Sequence, residues 1–218
     1  MATKSSIMDT NSYSDDYSSL LSNTTRDMIN RREKWMGGAY RLFYRKPVNL
    51  VRGQYLWDAE GNKYLDMYNN VAGIGHCHPA VVEAVTEQMK LLNTHTRYLH
   101  ERIIDYSEDL LKMMPDEIDK IMFMCTGSEA NDLALRVAQE YTGVTGIIVS
   151  REAYHGTSAL TSGCSPALGS EQPLLPNVRL IETPDYYRHG GTPEEFTAWY
   201  SGEMQKKIDE LEAAGYKF

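Results

Sequence analysis

The chain has 218 residues, 42% hydrophobic and 24% charged, which is the composition of an ordinary globular protein with apolar material for a sizeable core. Its formal net charge is -8 and its Lys and Arg residues are scattered, which argues against a nucleic-acid or anionic-membrane surface as the main partner. Small-molecule chemistry or a protein partner fits better.

Cys77, Cys125 and Cys164 lie far apart, odd in number and without a C-x-x-C pair, so neither a zinc site nor a disulfide framework is indicated. A reducing, cytoplasmic compartment is the expectation. The N-terminus lacks the apolar core of a signal peptide, its Asp residues do not suit a transit peptide, and no run reaches transmembrane length.

In chain order, residues 1–25 are rich in Ser, Thr, Asp and Asn and read as a mobile tail, with order beginning near Met28. Leu50 to Met67, LVRGQYLWDAEGNKYLDM, alternates apolar and polar residues around Glu60-Gly61-Asn62, the pattern of an antiparallel hairpin. After Pro79 the period becomes 3.6: Val81, Val82, Val85, Met89 and Leu92 share one helix face. Ile103, Ile104, Leu110, Leu111 and Met114 predict a second helix, closed by Pro115.

An alternation then sets the class. Lys120 to Cys125 predicts a strand, Ser128 to Tyr141 a helix ended by Gly143, Gly146 to Ser150 a strand, and Asn177 to Glu182 another. Strands separated by helices of this length imply a parallel sheet in an α/β domain.

Ligands bind parallel sheets beyond the carboxyl ends of the strands, where a following helix presents unpaired N–H groups and the positive end of its dipole. Thr126-Gly127-Ser128 falls at such a junction. Gly127 allows close approach of an anion, and Ser128 adds a hydroxyl and is able to cap the helix. A phosphate is the natural guest, although for an isolated T-G-S-E an ordinary N-cap is the commoner explanation. The motif is neither a P-loop nor a G-x-G-x-x-G fingerprint. After the next strand, Tyr154 and His155 precede Gly156 and could face the same crevice with a stacking surface for a planar ring; the alternative places Tyr154 in the core and His155 at a helix cap.

These residues carry a family resemblance. LWDAEGNKYLDM, GIGHCHPAVVEAV, TGSEANDLALRVAQEYTG and EAYHGTSA, in that order, resemble the N-terminal half of the class III aminotransferases, enzymes that use pyridoxal 5'-phosphate (PLP). YLDMYNNVAGIGHCHP and LLNTHTRYLHERIIDYSEDL are most similar to the phospho-lyase branch, which acts on ethanolamine phosphate and phosphohydroxylysine. The resemblance implies the α/β, aspartate-aminotransferase-type PLP fold (fold type I). Residues 26–80 would be an N-terminal, small-domain segment with the hairpin, and residues 81–218 an incomplete first part of the large domain.

By position, the resemblance implies that Gly127 and Ser128 hold the PLP phosphate, that Tyr154 stacks on the pyridine ring, and that His155 lies beside the cofactor. Glu129 and Asn131 would organise the same turn. Asn69, Asn70 and Val71 correspond to a segment near the substrate entrance, with Arg97 as an anion partner. The family's Schiff-base lysine and its pyridine-nitrogen aspartate are expected beyond Phe218, since Lys206, Lys207 and Lys217 match no catalytic-lysine context.

The implied activity is transamination of an amine substrate through an external aldimine, with an oxo acid as acceptor. The alternatives are phosphate elimination from an amino-alcohol phosphate, or an inactive fragment or partner chain. A homodimer is implied for the complete enzyme. His76-x-His78, without a carboxylate cluster beside it in the sequence, reads as a hydrogen-bonded turn before the helix, not as a metal site.

Overall fold

The computed structural model describes residues 21–36, 47–69, 72–169 and 172–218. They divide into two compact units, with the boundary between Asp119 and Lys120.

In the first unit, helix α1 (Asn23–Trp35) starts where the Ser22 hydroxyl accepts the Thr25 amide at 3.1 Å. The helix therefore begins within the segment read as a tail and ahead of Met28. Strands β1 (Val48–Arg52), β2 (Tyr55–Asp58) and β3 (Lys63–Leu65) form an antiparallel sheet in that order, with Val51 opposite Leu56 and Leu56 opposite Tyr64. The expected hairpin is thus the second of two. Its turn at Glu60-Gly61-Asn62 is held by Asp58, whose Oδ1 accepts the amides of Glu60 (3.1 Å) and Asn62 (2.8 Å). Asp58 Oδ2 accepts the Tyr64 hydroxyl at 2.9 Å. Gly61, at φ 85°, supplies the left-handed residue that this turn requires.

Helix α2 (Pro79–Leu91) opens on a proline whose missing N–H would have had no intrahelical acceptor. Helix α3 (Glu101–Leu111) is capped by His100 and stops before Met114, which lies in the turn that follows instead of on the helix.

The second unit carries the parallel pair. Strands β4 (Ile147–Ser150) and β5 (Val178–Ile181) run parallel, with Ile147 opposite Val178 and Ser150 opposite Ile181. Helix α4 (Gly127–Thr142) precedes them and ends on Gly143 in the left-handed conformation, φ 71°. The crossover between β4 and β5 contains the short helix α5 (Ala159–Ser162) and a 3-10 turn, Pro166–Leu168.

A one-turn helix α6 (Tyr186–His189) leads to α7 (Pro193–Ala213), which packs along β5. Helix α7 starts with Pro193 and a reciprocal cap between Thr192 and Glu195. Ile147, Val149, Cys164 and Val178 form the buried core, with Leu135, Leu174 and Leu175 packed against it. Leu211 of α7 is completely buried.

The predicted strand from Lys120 to Cys125 is corrected: among the described residues it joins no ladder, and Met122, Phe123 and Met124 are exposed. A short apolar run records a wish for burial. A strand also needs a neighbour in register, which local sequence does not encode.

Candidate cofactor site at the start of α4

The backbone turns from extended to helical at Thr126 (φ -141°, ψ 159°), and its Oγ1 accepts the Glu129 amide at 3.1 Å. Thr126 is therefore the N-cap, a correction to the capping role considered for Ser128. Glu129 faces back to this cap, its Oε2 lying 3.3 Å from the Thr126 hydroxyl. The first amides of a helix have no intrahelical acceptor, so the N–H groups of Gly127 and Ser128 and the positive end of a 16-residue helix converge here. Nothing lies within 4 Å of where a Cβ on Gly127 would stand, so this side of the turn is open.

The loop after β4 meets this helix start. The Ser128 hydroxyl oxygen accepts the Thr157 amide at 3.1 Å, and the Asn131 side-chain amide donates to the His155 carbonyl at 2.8 Å. Gly156, between these partners, sits at φ 134°, and a Cβ there would fall 2.5 Å from Ser128 Oγ. The structure thus brings Gly127, Ser128, Glu129, Asn131, Tyr154 and His155 into one contiguous region.

Tyr154 is 59% exposed, which removes the alternative that it is a core residue. His155 caps no helix: Ser158 caps α5, while the His155 amide donates to Ser165 Oγ at 2.8 Å. His155 Nε2 is buried and has no hydrogen-bond partner among the described residues. A buried imidazole nitrogen in that state retains hydrogen-bonding capacity that no described residue uses.

Of the residues read as substrate-side, Asn69 and Arg97 belong to the first unit. The Asn69 amide donates to Asp66 Oδ1 at 2.9 Å, as does the Tyr68 amide at 3.0 Å. Arg97 lies in the exposed stretch between α2 and α3, its amide donating to His95 Nδ1 at 3.2 Å. Asn70 and Val71 lie outside the described residues.

His76 does have a carboxylate beside it in space. Its Nε2 is 2.6 Å from Asp66 Oδ2, and its backbone exchanges two hydrogen bonds with Gly53. The Asn69 amide, followed by the His76 ring, holds the Asp66 carboxyl far below the usual carboxylate range. His78 stands at the start of α2, and among the described residues no group of three or more His, Cys, Asp or Glu could hold a metal ion. All three cysteines are free, and burial pushes the Cys164 thiol up.

Sequence reading missed Asp66, Asp132 and Ser158 as organising groups. Asp132 Oδ1 accepts the Ser158 hydroxyl at 2.7 Å, across 26 residues of chain, and no spacing rule links such positions. No helix among the described residues is long and apolar enough to cross a membrane.

Comparison with known proteins agrees with this architecture. Residues 42–211 match the family model described as aminotransferase class-III. A relative from Drosophila melanogaster, alanine–glyoxylate aminotransferase 2-like, is 44% identical over 60% of this chain and 27% of its own length. The Caenorhabditis elegans ethanolamine-phosphate phospho-lyase homolog 1 is 33% identical over 88% of this chain and 41% of its own.

Among solved structures, a phospholyase from Arthrobacter in complex with phosphoethanolamine superposes with a TM-score of 0.77 at 37% identity, over 87% of this chain and 46% of that one. The taurine:2-oxoglutarate aminotransferase of Bifidobacterium kashiwanohense, in complex with PLP and glutamate, shares the fold at a TM-score of 0.69 and 22% identity. The chain spans less than half the length of each of these relatives. It has the fold of the type I PLP enzymes and belongs to the class III aminotransferase family.

Proposed function

We propose that this chain contributes the phosphate cradle and the ring-stacking surface of a PLP-dependent enzyme acting on small amines. The observation that carries the reading is the fastening of the Tyr154-His155 loop against the open amino end of α4. The donor set fits the cofactor. The Gly127 and Ser128 amides are placed to donate to an anion, and the Ser128 hydroxyl, which accepts from Thr157, keeps its own proton for donation. The exposed Tyr154 ring offers a stacking face, and His155 Nε2 has bonding capacity to spare.

When bound, PLP supplies an electron sink for a carbanion at the amine carbon. The residues named here bind its phosphate and orient its ring. We assign the lysine and aspartate that complete such a site to other parts of the whole protein, because Lys206, Lys207 and Lys217 match no catalytic-lysine context. The activity proposed for the whole protein is amino transfer to an oxo acid, in a homodimer of the cytoplasm.

A second reading, elimination of phosphate from an amino-alcohol phosphate, is supported by the likeness to the phospholyase that binds phosphoethanolamine. Supplying ethanolamine phosphate to the whole enzyme separates the two: inorganic phosphate release without an oxo acid indicates elimination, and acceptor-dependent loss of the amine indicates transfer.

The cradle is tested by titrating the chain with PLP and with pyridoxal. PLP should bind at least about tenfold more tightly, as expected for charge-assisted bonds to a phosphate. Ser128→Ala should narrow that ratio. Equal affinity for the two compounds would rule the cradle out.

A further inference from the structure

Three side chains of α4, at positions 128, 131 and 132, project from one face of the helix with i, i+3, i+4 spacing. Each takes a different part of the loop that carries Tyr154 and His155. Ser128 Oγ accepts the Thr157 amide, Asn131 Nδ2 donates to the His155 carbonyl, and Asp132 Oδ1 accepts the Ser158 hydroxyl.

The last contact also sets the direction of a short proton chain. An ionised carboxylate only accepts, so the single Ser158 hydroxyl proton goes to Asp132. The 2.8 Å contact between Ser158 Oγ and Thr161 Oγ1 is then donated by Thr161, whose other acceptor, the Ser158 carbonyl, is farther away at 3.5 Å, and Thr161 Oγ1 in turn accepts the Ser158 amide at 3.0 Å. Thr161 is fully buried, which keeps the inner end of the chain out of contact with solvent.

We propose that Asp132 is a positioning residue for the cofactor ring. Acting through Ser158, it completes with Ser128 and Asn131 a three-point fastening that presets the Tyr154-His155 loop against the helix start. This rests on the PLP reading above. The fastening organises the ring-side loop and not the phosphate amides, because all three partners lie at residues 155–158 while Gly127 remains open. Losing Asp132 should therefore weaken recognition of a ring-bearing phosphate and spare recognition of the bare anion.

The experiment compares the wild type, Asp132→Ala and Asp132→Asn in two measurements. Hydrogen exchange of the ligand-free chain should show the Thr157 and Ser158 amides opening about tenfold faster in Asp132→Ala, with the Val149 amide of β4 unchanged. Asp132→Asn keeps an oxygen that accepts from Ser158 and should restore protection. PLP affinity should fall about tenfold in Asp132→Ala alone, while inorganic phosphate affinity stays level.

If Asp132→Ala disturbs β4, Ser158→Ala, which removes the same bond from the other side together with the cap of α5, must reproduce the PLP-specific loss. The idea is overturned by unchanged exchange in both alanine variants, by an asparagine variant that behaves like alanine, or by PLP and phosphate affinities falling together. A wild type that binds no PLP would instead sink the cofactor reading, and the exchange data would still decide whether Asp132 fastens the loop.

Discussion

Gly156 concentrates the residue-scale argument. Its φ of 134° is a conformation that side chains other than hydrogen adopt at a cost, and Ser128 occupies the space a Cβ would need. Gly156→Ala combines backbone strain with an overlap, each about 1–3 kcal/mol, so a thermal melt should show a loss of about 2 kcal/mol or more. A variant as stable as the wild type would mean that the loop has another resting position. Gly156 was legible as a loop glycine; the obstruction by Ser128 was not, because it depends on a residue 28 positions earlier.

Asp66 makes a different prediction at the same scale. Its carboxylate accepts from Asn69, Tyr68 and His76, and these bonds hold its pKa well under the ordinary 3.8. A carboxyl depressed in the folded state contributes stability that is present above its unfolded pKa and lost as pH falls through the folded one. Acid melts should therefore steepen below about pH 4. Asp66→Asn should be less stable at neutral pH and show a flatter acid limb, and parallel acid limbs would refute the linkage.

At the scale of elements, helices announced themselves because their signals are local. The apolar face of α2 and its leading proline, and the Gly143 stop of α4, are each readable within a few residues, whereas the Pro193 start of α7 was not read. The parallel pair β4 and β5 was readable for the same reason, as short apolar runs flanked by helices. Lys120 to Cys125 carried an equal signal and formed no ladder, since pairing is decided by neighbours.

The cap of α4 shows how fine the local signal is. Thr126 and Ser128 both bear hydroxyls, and only the extended backbone at Thr126 lets its oxygen reach the Glu129 amide. Thr126→Ala should cost about 1 kcal/mol in denaturant melts, and Thr126→Ser should recover most of it. No difference between the two would reassign the cap.

For the whole molecule, exposed apolar surface governs behaviour. Val81, Val82, Val85 and Met89 recur at helical spacing along α2, and each is 47–60% exposed. Open positions in this pattern form a stripe instead of the scattered single apolar residues normal on a surface, and contiguous apolar patches drive association. The net charge of -8 opposes that association only at long range and is screened by salt. Self-association measured by sedimentation should therefore strengthen as salt is raised, because repulsion fades while apolar attraction persists. Val85→Lys with Met89→Lys should abolish most of it while leaving α2 intact, since both positions face outward and lysine is a good helix former. If the double variant associates as strongly as the wild type, the α2 stripe is not the surface responsible, and the exposed residues Met122, Phe123 and Met124 become the next to alter.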